Sequence, residues 1–501
     1  MTSTSILVAL SLAAAPPQLT RVLLNDTART GAVCLDGSPG GWFERLAPRA
    51  SPNATKYHIH LQGGGWGIGT EALIKRTKGR TGSSSYWPAT IHDGGGMLST
   101  DPALNPVTGG WNIIYLWYCD GGSFSGDADA PLDANGTKLW FRGRRILEQT
   151  LGALLAPRVG MGQATHVLLS GGSAGGLSAY LHANYVGSRL PRGAVLAVVP
   201  LSGFFLNGPN AAGAPMFEPR LRWVFKTHNA TAAVAQSNPQ CLADHAATNG
   251  SWKCFQAPTV LRYAAHPTFI VNSAYDSFQL PAILGSGPGP RFPNDPGSQI
   301  DLPGWEPCNA GIHANKSLSG CNATHMAAIN AYHDRMTAVQ ATAHGLQQIE
   351  DATARRASGA FLHSCVNHVE GDQSAAWVGY GISGVVLRDA VAAWHAVVSA
   401  GVLPPPGWNA TVHVGCRRAQ GAARRRCATQ PATQRAARNF QAVVCQVLDP
   451  PRRIRLSQLY TPLGNHSAPK LINQKPTHSR FKTFQFQFHK FWMLVFQPVM
   501  V

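Results

Sequence analysis

Short apolar runs alternate with helical patterns along most of this chain. Runs of β-prone residues predict strands at 57–62, 111–118, 166–170, 194–201 and 267–272. Apolar residues at helical spacing predict helices over 141–155, 174–185, 325–350 and 383–399. The run 194–201 is apolar at every position, as expected of a parallel strand covered on both faces. Strands that alternate with helices predict a mostly parallel α/β sheet.

Two stretches interrupt this alternation. Residues 205–262 and 284–325 are poor in strand pattern and rich in Asn, Pro, Gly and Cys. Because α/β proteins place their pockets at the carboxyl ends of the strands, we predict that these stretches form loop or helical insertions over those ends. Residues 16–416 are therefore interpreted as one α/β domain with insertions.

Charge changes this picture only at the C-terminus. The 501 residues carry a net charge of +18, which on its own would favour a nucleic-acid partner. However, residues 421–501 hold 13 Lys and Arg against the single Asp449. We interpret residues 417–501 as a disordered tail or a misassigned gene segment rather than a nucleic-acid arm. No nucleic-acid partner is expected.

A short apolar segment, residues 5–15, ends in small residues before Pro16. It predicts a signal peptide over residues 1–15, although the first residues lack Lys and Arg. A buried N-terminal helix and an incorrect start codon are the alternatives. Because no run of 18 or more apolar residues occurs elsewhere, we expect no membrane span.

Cysteines and glycosylation sequons favour an oxidising compartment. The ten cysteines contain no CxxC pair of the zinc type and are spread through predicted loops, so we expect disulfides and no metal site. Asn-x-Ser/Thr sequons add support for secretion. They occur at Asn25, Asn53, Asn135, Asn229, Asn249, Asn315, Asn322, Asn409 and Asn465.

The segment 165–180 joins a predicted strand to a predicted helix through Gly-Gly-Ser-Ala-Gly, with Ser173 at the centre. A Gly-x-Ser-x-Gly turn in this context is typical of the nucleophile elbow of α/β-hydrolases. The glycines permit a strained serine backbone and close approach of strand and helix. Ser173 is therefore the predicted nucleophile. The alternative is a glycine-rich turn that merely buries a serine.

A nucleophile elbow needs an acid and then a histidine further along the chain. Asp276 directly follows a predicted strand and is the predicted acid, although an Asp there can also simply cap a turn. Asp295 and Asp301 lie in Pro/Gly-rich loops without a preceding strand and rank lower. His363 falls inside an apolar run and is predicted to pack. His368 lies beyond that run and is the predicted base.

The glycine loop after the strand at 57–62 is the predicted source of oxyanion donors. The amide of Ala174 would supply one N–H, and those of Gly64 and Gly65 the others. Trp66 follows this loop and is a candidate for stacking on a sugar ring, although tryptophans are more often part of the core. The same two interpretations apply to Trp87 and Trp117.

Several sequence blocks resemble the pectin acetylesterase family, which includes the carboxylesterase Notum. They lie in family order at 31–39, 61–66, 118–127, 141–143, 170–176, 272–277 and 364–368. The resemblance implies an α/β-hydrolase-like fold with Ser173 as nucleophile, Asp276 as acid and His368 as base. We assign no disulfide pairs, because three cysteines typical of plant members are replaced here by Gly67, Gly172 and Val369.

Three functions are consistent with these features. The first is a secreted, monomeric serine esterase that removes O-acetyl groups from a cell-wall or extracellular polysaccharide and needs no cofactor. The second is a lipid deacylase like Notum, which would need a deep apolar pocket for a long acyl chain. The third is an inactive, secreted carbohydrate-binding relative, whose binding would not depend on Ser173.

Overall fold

The computed structural model describes residues 18–288, 299–340, 346–382, 384–401 and 412–415. The predicted signal peptide at 1–15 and the predicted tail at 417–501 lie outside these ranges, as does Asp295. Within the described ranges, no helix is both long enough and apolar enough to cross a bilayer.

Strands are numbered in chain order. They are β1 Gln18–Leu23, β2 Gly41–Arg45, β3 Lys56–Leu61, β4 Thr90–His92, β5 Asn112–Leu116, β6 Leu132–Ala134, β7 Thr137–Leu139, β8 His166–Gly172, β9 Val195–Leu201, β10 Phe269–Ser273, β11 Ser286–Pro288, β12 Gln299–Asp301, β13 Gly359–His363, β14 Gly381–Ile382, β15 Val385–Val386 and β16 Val412–Gly415.

The α-helices are numbered in the same way. They are α1 Thr27–Thr30, α2 Thr70–Arg76, α3 Gly143–Leu155, α4 Ala174–Arg189, α5 Phe217–Thr227, α6 Thr231–Ser237, α7 Pro239–Ala246, α8 Ala257–Val260, α9 Glu306–Asn315, α10 Ala323–Gln340, α11 Ala352–Ala357, α12 Ser374–Gly379 and α13 Leu387–Ser399.

A ten-stranded sheet organises the fold, in the order β16-β13-β10-β9-β8-β3-β5-β2-β1-β4. From β16 to β5 the neighbouring strands run parallel. Strands β2, β1 and β4 extend the sheet antiparallel beyond β5. This arrangement confirms the predicted mostly parallel α/β sheet.

Alternate residues of the central strands pack into two hydrophobic cores. In β9, Leu196 and Val198 belong to the core that includes helix α4, whereas Ala197 and Val199 belong to the core that includes α12 and α13. Helices therefore cover both faces of the sheet. Burial on both faces explains why this strand is apolar at every position.

The antiparallel extension was not evident from the sequence. Strand β1 mixes charged and apolar residues and is mostly part-exposed, and β4 is three residues long and not buried. Strand β2 carries Glu44 and Arg45 at its end. Short, partly exposed edge strands lack the apolar pattern that marks a buried strand.

The predicted insertions consist largely of short helices. Helices α5 to α8 fill the connection between β9 and β10, and α9 follows β12. A disulfide spanning 13 residues staples each insertion, Cys241–Cys254 in the first and Cys308–Cys321 in the second. A third disulfide, Cys34–Cys119, joins residues 85 apart, and Cys365 is disulfide-bonded as well. The expectation of disulfides is confirmed.

Two glycines in helices should respond oppositely to alanine. A methyl group at Gly175, in α4, would lie 1.9 Å from the carbonyl oxygen of Leu61 in β3. We expect Gly175→Ala to lower the free energy of unfolding by about 3 kcal/mol. Gly152→Ala, in α3 with no atom within 4 Å of the new methyl, is the matched control and should raise it by about 0.5–1 kcal/mol. Urea unfolding measures both, and equal effects would contradict the packing argument.

Candidate active site

Ser173 lies between strand β8 and helix α4 with φ 58° and ψ −124°. A non-glycine residue rarely adopts a positive φ, so the turn stores strain of about 1–3 kcal/mol. The Ser173 amide donates to the carbonyl oxygen of Leu201, 2.9 Å away, which ties the turn to β9. The side chain is thus presented at the carboxyl end of a central strand by a turn that its neighbours hold in place.

Asp276 and His368 meet in the structure. His368 Nδ1 lies 2.9 Å from Asp276 Oδ2, and the carboxylate is fully buried. The other carboxylate oxygen accepts the amides of Phe278 and Gln279, each at 2.9 Å. Asp276 therefore both caps a turn and faces the imidazole. Because the carboxylate accepts from Nδ1–H, Nε2 is left as the proton acceptor.

Adjacent parallel strands bring this pair together. Strands β10 and β13 are neighbours, and Ser273 is in register with His363. Asp276 follows Ser273 closely and His368 follows His363 closely, so both loops leave the same edge of the sheet. Asp301, ranked lower from the sequence, instead accepts a hydrogen bond from Asn309.

The serine turn and the histidine loop are in contact. A methyl group on Gly172 would lie 2.6 Å from Val369 Cγ1, so the residue before Ser173 packs on the residue after His368. His368 Nε2 is buried and has no hydrogen-bond partner among the described residues. Hydrogen bonds of this kind often tighten only when substrate binds. The nitrogen is therefore available to a serine hydroxyl.

A buried glutamate anchors the histidine loop. Val369 has the unusual φ of 57°, and its amide donates to Ser202 Oγ, 2.9 Å away. The same hydroxyl donates to Glu370 Oε2 at 2.9 Å, and Glu370 Oε1 lies 3.1 Å from Nε2 of His363. Burial opposes ionisation of Glu370, but His363 and Ser202 outweigh it, and the pKa of the carboxyl lies below its usual range.

His363 is thus a packed residue, as its place in the apolar run predicts, yet it has a polar partner. Its Nδ1 accepts the amide of Cys365 at 3.2 Å, which leaves Nε2–H to face Glu370. Sequence reasoning did not find Glu370 or Ser202. The one available signal was an acidic residue two positions after His368, which alone does not distinguish a buried anchor from a surface charge.

Neutralising this anchor should cost both stability and rate. Glu370→Gln removes the buried negative charge that lies 3.1 Å from His363 Nε2, so this electrostatic pairing is lost. We expect the free energy of unfolding to fall by about 3 kcal/mol and kcat to fall because the His368 loop loosens. Glu148→Gln, which breaks a half-exposed pair with Arg144, is the control and should change stability by less than about 0.5 kcal/mol. Similar midpoints of urea unfolding for both variants would contradict the anchoring role.

The predicted oxyanion donors lie beside Ser173. A methyl group on Gly63 would lie 2.9 Å from Ser173 Cβ, which places the glycine loop against the elbow. In the described part of the chain, the amides of Gly64, Gly65 and Ala174 have no backbone acceptor. Three unengaged N–H groups near a serine can stabilise a developing oxyanion.

Ser123 links the glycine loop to the serine turn through hydrogen bonds. Its hydroxyl donates to the carbonyl of Ala174 and accepts from Trp66 Nε1, both at 2.9 Å. The Trp66 ring is only 9% exposed, and it meets Phe205, Phe217 and Phe278 edge to face, with ring centroids 4.7 to 6.5 Å apart. Trp66 is therefore one wall of an aromatic cluster rather than an open platform for a sugar.

Trp87 and Trp117 are core residues. Their rings are 3% and 6% exposed and pack against each other and against Phe43. Their contacts are those of scaffold tryptophans, one of the two interpretations that the sequence allowed.

One group in the described residues has the composition of a metal site. Cys241, His245 and Cys254 bring their ligand atoms within 4.8 Å of one another. The two cysteines are, however, joined in a disulfide, which removes the thiolates that a metal would need.

Comparison with known proteins decides the family. Residues 13–400 match the family model described as Pectinacetylesterase. The chain is also 31% identical to pectin acetylesterase 5 of Arabidopsis thaliana over 369 residues, which are 72% of this chain and 76% of that protein. The chain belongs to the pectinacetylesterase family. Membership makes it a carboxylic ester hydrolase.

Relatives of this chain include Notum proteins. Palmitoleoyl-protein carboxylesterase NOTUM of Schmidtea mediterranea is 26% identical over 293 residues, covering 52% of this chain and 50% of that protein. The crystal structure of the Wnt deacylase Notum from Drosophila matches with a TM-score of 0.58 at 21% identity, covering 79% of this chain and 100% of that one. The structural likeness shows that the fold is α/β-hydrolase-like.

Proposed function

We propose that this chain is a secreted serine esterase that removes O-acetyl groups from a pectin-like extracellular polysaccharide. The observation that carries the proposal is the buried Asp276–His368 pair, whose loop packs against the strained turn of Ser173. An acid, an imidazole and a serine at one sheet edge are the components of acyl transfer. The relatives named for pectin acetyl esters support the substrate class. We propose that it acts as a monomer, without cofactor, nucleic acid or membrane.

In the acylation step, Ser173 Oγ attacks the acetyl carbonyl carbon while its proton passes to Nε2 of His368. Asp276 stabilises the imidazolium that forms. The carbonyl oxygen becomes an oxyanion, to which the amides of Ala174, Gly64 and Gly65 donate. Collapse of this intermediate breaks the bond to the sugar oxygen, which leaves as a hydroxyl with the proton from His368.

Deacylation repeats the same proton path with water. His368 Nε2 takes a proton from the water as its oxygen attacks the acetyl-serine carbonyl carbon. The second tetrahedral intermediate releases acetic acid, which ionises in water, and Ser173 recovers its proton from His368. Each step uses groups of this chain and one water molecule.

The aromatic cluster favours a short acyl group. Phe278 stacks on the His368 ring with centroids 5.3 Å apart, and Phe205 lies 6.3 Å from the same ring. Phe205 and Phe217 are each 2% exposed and pack on Trp66, so the wall beside the imidazole is filled by side chains. A long acyl chain placed beside the imidazole would have to displace these rings. A lipid deacylase like the Notum relatives is therefore the second candidate.

Secretion is supported by features of the surface and core. Disulfides persist in oxidising compartments, and three pairs lie wholly within the described residues. Seven sequon asparagines lie in the described ranges, and all except the part-buried Asn53 are exposed: Asn25, Asn135, Asn229, Asn249, Asn315 and Asn322. Glycans at these positions would extend from the surface without disturbing the core.

The test is acetate release from acetylated pectin by protein made in a secretory host, beside Ser173→Ala. Release that depends on Ser173 is the expected result. A parallel series of acetyl, butyryl, octanoyl and palmitoyl model esters separates the two esterase candidates, and we expect kcat/KM to fall as the chain lengthens. Ser173-dependent activity that rises toward the long esters, without release from pectin, would replace the first candidate by the second.

Folded protein that hydrolyses no ester would contradict both esterase candidates. Pectin binding that is equal for the native chain and Ser173→Ala would then identify a carbohydrate-binding relative.

A further inference from the structure

Arg76, the last residue of helix α2, reaches the glycine loop. Its Nη2 donates a hydrogen bond to the carbonyl oxygen of Gly64 at 2.9 Å. Its Nε donates to the carbonyl of Thr81 at 2.9 Å, and the guanidinium lies over the Tyr118 ring, 5.1 Å from the centroid. These three contacts together hold the guanidinium in one orientation.

The carbonyl that Arg76 contacts belongs to a particular peptide unit. The C=O of Gly64 and the N–H of Gly65 are the two ends of one conjugated amide. A cation at the oxygen end draws electron density away from the nitrogen, so the N–H at the other end becomes a stronger donor. The same bond fixes the plane of the peptide and thereby the direction of the N–H.

The backbone of this loop needs such support. Gly64 has φ 148° and Gly65 has φ 67°, and the N–H of each is without a backbone acceptor in the described residues. A methyl group on Gly65 would meet no atom within 4 Å, so packing does not hold this residue. The hydrogen bond from Arg76 thus stabilises a peptide that few other contacts define.

We propose that Arg76 is a positioning residue for ester hydrolysis, which orients and polarises the Gly64–Gly65 peptide so that Gly65 N–H stabilises the oxyanion. This inference rests on the proposed serine esterase mechanism. Arg76 acts through the peptide and does not contact the substrate. It contributes to the transition state more than to substrate binding, because the charge on the carbonyl oxygen develops only as Ser173 attacks.

The experiment compares Arg76→Gln and Arg76→Lys with Lys75→Gln on the full chain. Lys75 is the neighbouring exposed cation of α2, so its variant removes the same charge without removing the bond to Gly64. We expect Arg76→Gln to lower kcat about tenfold at constant KM, which is less than loss of a whole oxyanion donor. Arg76→Lys should recover part of that loss, and Lys75→Gln should keep the native rate.

A second readout separates this role from a merely structural one. A trifluoromethyl ketone forms a hemiketal oxyanion with an active serine, so its inhibition constant reports on the oxyanion donors. We expect the inhibition constant of Arg76→Gln to rise by the same factor as its kcat/KM falls. Arg76 also faces the buried carboxyl of Asp120, so its loss could lower the rate by disturbing Asp120. Equal factors in the inhibition constant and in kcat/KM would show instead that the oxyanion donor is weakened.

The outcomes distinguish this inference from the proposed function. If the native chain lacks Ser173-dependent esterase activity, the proposed function fails and Arg76 has no reaction to support. If the native chain is active but Arg76→Gln keeps its kcat, or loses rate without weaker ketone binding, the inference about Arg76 is wrong while the esterase stands.

Discussion

Replacing Asp276 with Asn is expected to lower kcat for ester hydrolysis by about four orders of magnitude. The Asn side chain can keep its oxygen toward the amides of Phe278 and Gln279, which Asp276 Oδ1 accepts now. Its NH₂ group then faces His368 Nδ1, which must accept. The imidazole proton moves to Nε2, and the nitrogen that should take the proton from Ser173 is blocked.

The matched control is Asp301→Asn. Asp301 accepts a hydrogen bond from Asn309 and has no contact with His368, so the same chemical change there should leave kcat within about twofold. Steady-state rates on a short acyl ester, with circular dichroism to verify folding, make the comparison. A decrease smaller than tenfold for Asp276→Asn would contradict the assignment of the acid.

Acid should destabilise this protein steeply below about pH 6.5. Burial lowers the pKa of five described histidines, including His266, and the shift is large for the other four: well below the usual value for His58, to about 4 for His182, to about 3 for His228 and to about 4 for His395. The unfolded chain binds a proton at each of them near pH 6.5, whereas the native state does not. Their stabilisation is therefore present above pH 6.5 and is lost as the pH falls.

Titration of Asp120 has the opposite effect on the free energy of unfolding. Burial raises the pKa of its carboxyl to about 6, so the stability it contributes is present at low pH and is lost as the pH rises through 6. Between pH 7 and pH 5.5, each of the four histidines lowers the free energy of unfolding by about 1.3 kcal/mol, and Asp120 raises it by about 1 kcal/mol. We expect the free energy of unfolding to fall by roughly 4 kcal/mol over this interval.

Urea unfolding at pH 7, 6.5 and 5.5 measures this decrease. His182 donates through Nε2 to the carbonyl of Ser123 at 2.9 Å, and Gln can make a similar bond without titrating. His182→Gln should therefore remove about a third of the pH dependence. A midpoint that stays constant from pH 7 to pH 5.5 in the native chain would show that the buried histidines take up protons without unfolding.

The centre of the sheet was predictable because burial on both faces leaves a clear pattern. The apolar run 194–201 predicts a strand, and β9 occupies Val195–Leu201. The run 267–272 is displaced slightly from β10, which occupies Phe269–Ser273. Strand ends are set by turns and capping contacts, which the hydrophobic pattern does not record.

Helix ends were less predictable for the same reason. The pattern 325–350 predicts one long helix, whereas the structure describes α10 over Ala323–Gln340 and a 3₁₀ turn at Leu346–Gln348, with residues 341–345 outside the described ranges. Leu346 and Ile349 are buried, so they extend the apolar pattern although they belong to another element. The same core can be filled by two short elements as well as by one long one.

The supporting residues of the site could not be found from the sequence. Glu370 accepts a hydrogen bond from Ser202, 168 positions away, and Arg76 in α2 donates one to Gly64 in the glycine loop. Such pairs have no fixed spacing, so no local pattern identifies them. The predicted catalytic residues differ, because each follows a strand of the sheet in a fixed chain order: Ser173, Asp276 and then His368. Predicted strands and turns are therefore enough to find them.

The neighbouring positions of β10 and β13 bear on how members of this family diverge. Asp276 and His368 are placed by the pairing of the two strands, not by the length of chain between them. Helices α9 to α11 lie in that connection, and Cys308–Cys321 staples part of it independently of the sheet. The connection can therefore change in length or sequence without moving Asp276 and His368, which would alter substrate recognition while the chemistry stays constant.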